Sequence, residues 1–135
     1  MPGTVLDPGE DRDGERVREA VGPWKVVTYH ESYAIAGKES VQGMPGGRAW
    51  CEALESVADE RDRHLLTYEG HVTHLTDRDR ALLDHAPDGL TVIGSADEIR
   101  AHLSALSHRG VHEVIYTPSG PDLARELEAF AAARN

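Results

Sequence analysis

Two apolar, β-branched runs separated by a helical pattern fill the last third of the chain, and that order restricts the fold more than any other feature. Leu90-Thr91-Val92-Ile93 reads as a strand, the stretch to Ser107 repeats apolar residues at helical spacing, and Val111-His112-Glu113-Val114-Ile115-Tyr116 reads as a second strand. Gly94-Ser95 opens the helix, with Ser95 as N-cap and Glu98 at the third position of a capping box. Ile99, Leu103 and Leu106 form its apolar stripe, and Gly110 closes it. Two strands joined through a helix lie parallel in one sheet, so the fold class is α/β, and functional groups gather on the loops that follow such strands.

The chain length limits how far this unit can repeat. With 135 residues it makes one domain, whereas a closed eightfold α/β barrel takes about 250. Met1 to Gly14 is polar, acidic and rich in glycine and proline, and reads as a disordered arm. Residues 15–135 then form the domain. Only 39% of residues are apolar and 5% aromatic, which with the small size favours a core completed by oligomerisation, and three strand candidates among more numerous helices give a helix-rich fold with a small, mainly parallel sheet.

Ahead of the strand–helix–strand unit the pattern is mostly helical. Glu15 to Val21 reads as a short helix checked by Gly22-Pro23, with Pro23 in the first turn of the next one. Trp24 to Ala36 fits a strand by its β-branched content or a helix by the stripe Val26, Tyr29, Tyr33 and Ala36; the helix is the better fit. Lys38 to Met44 is a turn or short helix, and Pro45-Gly46-Gly47 is a breaker. Arg48 to Ala58 is a helix with Trp50 or Cys51, Leu54 and Val57 facing inward. His64 to Tyr68 reads as a strand, Glu69-Gly70-His71 as its following loop, Thr76 as an N-cap, and His85 to Gly89 as a loop around Pro87. Asp122 caps a last helix carrying Leu123, Leu127 and Phe130.

Charge excludes several partners. The net charge is −10, from 24 acids against 14 bases, which argues against nucleic acid and against an anionic membrane surface. The arginines sit beside acids, as in Asp59-Glu60-Arg61-Asp62-Arg63 and Asp77-Arg78-Asp79-Arg80, and such runs read as solvated faces. Neither a leader pattern nor a long apolar span is present, so a cytoplasmic location is expected. The single cysteine, Cys51, is flanked by acids rather than bases and reads as a small buried side chain.

Eight histidines raise a metal hypothesis that the spacing does not support: His-Glu-x-x-His and paired cysteines are both missing, so no metal is expected. The most promising polar constellation is Tyr68-Glu69-Gly70-His71. Glu69 could accept a proton or hold a ligand hydroxyl, His71 could act as acid or base, and Gly70 would let backbone approach a ligand. The alternative is a turn glycine between solvent-facing polar residues. Tyr29, His30 and Tyr33 form a second cluster, either a cofactor wall or ordinary packing. Ser119, in the tight loop Thr117-Pro118-Ser119-Gly120-Pro121, could touch a ligand.

Four segments taken in order resemble the C-terminal portion of the luciferase-like flavin- or F420-dependent oxidoreductases. They are Val21-Gly22-Pro23 with Tyr29-His30-Glu31-Ser32-Tyr33; Leu65 to His71; Ile93 to Arg100; and Gly110 to Asp122, running on into Arg125-Glu126-Leu127. Together they span roughly residues 16–133. The resemblance implies TIM-barrel-like βα units from an (α/β)8 barrel that binds FMN or F420 at the C-terminal ends of its strands and transfers hydride or activates oxygen on small organic substrates, as oxidoreductases or monooxygenases do. Glu69, Gly70 and His71 match the family's Glu-Gly-His segment, and Tyr68 stands where a histidine is common. On this reading His71 and Glu69 are the candidate catalytic residues, and Tyr29, His30, Tyr68, Gly70, Tyr116 and Ser119 are the candidate cofactor-binding residues. The family's N-terminal half has no counterpart here, so a homo-oligomer or a missing barrel subunit is the expected partner. The second reading is a non-catalytic dimerisation or ligand-binding module of that descent.

Overall fold

The computed structural model describes residues 1–86 and 88–134. Pro87 of the expected loop and Asn135 at the expected domain end lie outside the described residues. The fold is mixed α/β and mostly helical. In chain order it runs β1 (Gly3–Val5), α1 (Glu15–Lys25), α2 (Val27–Ala36), α3 (Lys38–Gln42), α4 (Gly47–Val57), α5 (Arg63–Thr67), α6 (Asp77–Arg80), a 3₁₀ turn (Asp88–Leu90), β2 (Val92–Gly94), α7 (Ala96–His108) and α8 (Leu123–Arg134).

The sheet is parallel, but its strands are not all the expected ones. β1 pairs with β2 in the register Gly3↔Val92, Thr4↔Ile93 and Val5↔Gly94. Leu6 N donates to Gly94 O and Val92 N to Pro2 O, extending the ladder at each end. The arm expected to be disordered, Met1–Gly14, therefore supplies a strand. The reason is burial: Thr4 and Val5 are enclosed, and Gly3 lies so close to Val92 that any Cβ would strike its carbonyl.

Two other strands expected from the sequence are absent among the described residues. Leu65 to Tyr68 lies in α5 and its C-cap, because Thr67 Oγ1 bonds back to Arg63 O at 2.8 Å and the turn packs against α2 and α4. Helical packing decides the short apolar run Leu65-Leu66, which fits either a strand or a helical turn. Val111 to Tyr116 forms no ladder with β2. It runs beside Met1 instead, where the terminal ammonium donates to Ile115 O at 2.5 Å and Thr117 N donates to Met1 O at 3.1 Å.

Trp24 to Ala36 is helical except at Val26, where α1 ends and α2 begins, and Ala36 of the expected stripe is exposed; α1 runs through Gly22-Pro23 instead of stopping there. Proline cannot bond to the carbonyl one turn back. The freed Glu19 O lies close to Gly120, and the next carbonyl, Ala20 O, receives the Ser119 hydroxyl at 2.6 Å. Thr76 and Ser95 cap their helices as read, the latter with the complete capping box from Glu98. Val57, expected to face inward, is 66% exposed.

Two apolar clusters result. The larger joins Val26, Tyr29, Val41, Trp50, Cys51, Leu54, Leu75, Leu82 and Leu83 within the helical half. The smaller packs Val5, Ile99 and Ala133 between the sheet, α7 and α8. Among the described residues, no helix is long and apolar enough to cross a membrane.

Candidate functional site

The larger core contains a charged chain of hydrogen bonds. His30, on α2, and Asp79, on α6, are each 1% exposed. His30 Nε2 lies 3.0 Å from Asp79 Oδ1, and His30 Nδ1 lies 3.0 Å from Nδ1 of His71, which comes from the loop after α5. Trp50 Nε1 on α4 donates to the same Oδ1 at 2.8 Å, and Thr76 Oγ1 donates to Oδ2 at 2.7 Å. The Asp79 carboxylate thus has three side-chain donors, as a buried charge requires.

The hydrogen-bond directions follow from the chemistry. An ionised carboxylate only accepts, so His30 donates from Nε2. With both rings neutral, His30 Nδ1 then accepts from His71 Nδ1–H, and His71 Nε2 keeps a lone pair. Among the described residues, His71 Nε2 has no hydrogen-bond partner. Asp79–His30–His71 is therefore a relay with a buried anion at one end and a free base, on a half-buried ring, at the other.

Electrostatics keep both ends in these states. Burial works against the Asp79 charge, but the His30 bond and charge, with the bonds from Trp50 and Thr76, outweigh it and hold the carboxyl below its ordinary range. Burial, followed by the nearby His30 charge, lowers the His71 pKa, against an opposing pull from Glu31 and Asp79. His71 is accordingly a neutral imidazole at neutral pH.

Tyr68 connects the relay to open space. Its ring stands edge-on to His71 at 4.9 Å and to His30 at 6.5 Å, and it is 43% exposed. It also lines a cavity of about 420 Å³, with Tyr33, Lys38, Glu55 and Arg63 among the other walls. Glu55 is flanked there by Lys38 at 3.2 Å and Arg63 at 3.7 Å. Gly70 has φ +71°, and a Cβ at that position would fall on the His74 carbonyl, so the loop that presents His71 requires glycine.

The other expected site residues are dispersed. Glu69 faces outward, 3.8 Å from Arg78, and makes no contact with the relay. Tyr29 is buried with its hydroxyl on Pro45 O at 2.9 Å. Tyr116 donates to Gly3 O at 2.8 Å and stacks on Phe130 at 4.0 Å, and burial, followed by the Glu126 charge, pushes its phenol up. Ser119 serves the α1 carbonyl. His30, Tyr68, Gly70 and His71 come together; Glu69, Tyr29, Tyr116 and Ser119 do not join them.

These placements bear on the cofactor. Of the six residues expected to bed FMN or F420, only Tyr68 lines the cavity, and His30, Tyr29, Tyr116 and Ser119 spend their polar atoms on other parts of this chain. They do not fit a flavin or deazaflavin ring. Among the described residues, no group of three or more His, Cys, Asp or Glu side chains is arranged to hold a metal ion.

Reading the sequence missed Asp79, Trp50, Thr76 and Arg78 as site residues. Asp79 lay in a charge run read as solvated, but Arg78 and Asp79 are both turned inward. Arg78 lies 5.6 Å over the Trp50 ring and donates to Leu66 O at 2.6 Å. The available signal was Thr76-Asp77-Arg78-Asp79, since a cap whose hydroxyl takes Asp79 N–H faces its carboxylate toward the helix start. Comparison with known proteins returned no matching family model, curated protein or solved structure.

Proposed function

We propose that the protein acts on a small organic molecule by proton transfer, with His71 as the general base. The observation that carries this reading is the buried Asp79–His30–His71 chain, which ends in a ring nitrogen without a partner among the described residues; Tyr68, edge-on to His71 at 4.9 Å, lines the neighbouring cavity, whose walls do not include His71 itself. A proton taken up at His71 Nε2 can be passed on: His71 gives its Nδ1 proton to His30 Nδ1. The charge then rests on a His30–Asp79 ion pair away from water, where Coulomb attraction is strong. Tyr33 and Tyr68 offer aromatic walls, suited to a planar ligand.

The luciferase-like resemblance supports reading such a site as part of an oxidoreductase. In that setting this chain would supply the proton-handling wall, and the bed for FMN or F420 would come from a second copy or another chain.

Exchange of the α-protons of acetophenone in D₂O tests the reading. Exchange should run on the order of 100-fold faster than with equimolar imidazole, in line with a positioned base, and H71Q should abolish the excess. A wild-type rate no higher than that of imidazole would leave a ligand-binding module without this chemistry. Titration with FMN and F420 is the companion measurement. Micromolar binding of either to the isolated chain would return the cofactor to this site.

A further inference from the structure

Asp79 Oδ1 accepts two hydrogen bonds from different elements: His30 Nε2 from α2 at 3.0 Å and Trp50 Nε1 from α4 at 2.8 Å. Two donors on one oxygen share its electron density, so each is held less tightly than it would be alone. The indole is also fixed in place. Its ring stacks on His30 at 5.8 Å with 28° between planes, meets Tyr33 edge-on at 5.6 Å, and carries Arg78 over it at 5.6 Å. Trp50 is buried and can only donate.

We propose that Trp50 is a positioning residue for proton transfer at His71, which it controls by loosening the grip of Asp79 on the His30 proton. The proposal rests on the reading of His71 as a base. A carboxylate without the indole bond would pull harder on His30–H, stabilise the charged form of His30, and draw protons into the relay. With the indole in place, the relay takes up a proton less readily and releases it sooner.

The surroundings leave Trp50 as the neutral group that acts on Oδ1. The other charged or titratable neighbours are Arg78, whose buried Nε lies 3.9 Å from Oδ1 without a hydrogen bond, and His71 and Tyr68 from the loop after α5. Glu31, beside His30 on α2, acts on His71. Thr76 binds the other oxygen, Oδ2.

The experiment is a ring-carbon NMR titration of His71, with exposed His102 and His112 as internal references. W50F keeps an aromatic ring and removes the N–H, so the midpoint for proton uptake by the coupled His30–His71 pair, read at the His71 ring carbons, should rise by roughly one pH unit while the references stay in place. Fluorination tests the opposite direction. In a W24F background, 5-fluorotryptophan at Trp50 makes the N–H a stronger donor and should lower the midpoint with little change in packing. If W50F fails to fold, the fluorinated protein decides alone. An unmoved midpoint in the folded proteins overturns the proposal and leaves Trp50 as a packing residue. Midpoints that shift while acetophenone exchange stays at the imidazole rate uphold the positioning role and remove the catalytic one.

Discussion

Thr4 donates its hydroxyl to Glu126 Oε2 at 2.7 Å across 122 residues of sequence, and both side chains are buried. The same carboxylate receives Arg16 at 2.7 Å, Arg125 at 3.1 Å and the Tyr116 hydroxyl at 3.4 Å. One acid therefore fastens β1, α1 and α8 together at the smaller core.

Removing that charge should be expensive. E126Q leaves the Arg16 and Arg125 guanidinium groups facing a neutral amide, and because each keeps a second acid, Glu10 and Asp7, the cost should be roughly 2–3 kcal/mol. T4V removes the donor to Glu126 and the oxygen that accepts from Arg16 at 3.0 Å, both neutral-group losses, and should cost about 1 kcal/mol. Urea unfolding followed by circular dichroism should rank them in that order. Equal midpoints for E126Q and wild type would mean the network contributes nothing to folding.

Acid should unfold the protein partly through Glu10. Bonds from Arg16, opposed by burial and aided by Asp7 N–H and the Arg16 and Arg125 charges, lower its pKa from 4.5 to about 2. A folded pKa below the unfolded one gives stability that is complete above pH 4.5 and lost as the pH falls toward 2. That contribution amounts to roughly 1–3 kcal/mol, allowing for partial exposure. E10Q should be less stable at pH 7 and converge with wild type near the acid limit, as read from urea midpoints at each pH.

His71 should add a second, milder window. Its folded pKa lies below 6.5, so the unfolded chain binds the extra proton first, and stability declines as the pH drops below 6.5. H71Q should flatten the curve there while leaving the Glu10 window intact. D79A, which strands donors on His30, Trp50 and Thr76, should cost roughly 3–5 kcal/mol. A D79A protein as stable as wild type would show that the relay is not the buried network described.

Local chemistry was legible in the sequence wherever its cause was local. The Ser95–Glu98 capping box, the Thr76 cap and the stripe through Tyr29 and Tyr33 depend on neighbours within two turns, and the corresponding elements form. His71 on its glycine loop could be singled out for the same reason. The interpretations that failed depended on distant partners. Leu65 to Tyr68 has strand composition but packs as a helical turn against α2 and α4. β1 was hidden in a polar arm because its partners, Val92 to Gly94 and Glu126, lie some 90 to 120 residues away. Asp79 looked solvated because nothing nearby in sequence announces Trp50 and His30 as its donors.

Cys51 supplies a probe of the larger core. It is fully buried on α4, its Sγ lies 3.9 Å from Lys38 O, and burial, then the Glu55 charge, pushes its thiol up against the opposing pull of Lys38. Reaction with a disulfide reagent needs both access and thiolate, and the native state supplies neither. Labelling in native buffer should therefore proceed only through opening, at a rate that follows global stability across a urea series. C51S should lose about 1–2 kcal/mol, since a shorter hydroxyl in an apolar cluster is left too far from Lys38 O to bond well. Fast labelling that ignores urea would instead show that α3 and α4 separate on their own, and the Trp50 side of the relay would then be exposed in the native ensemble.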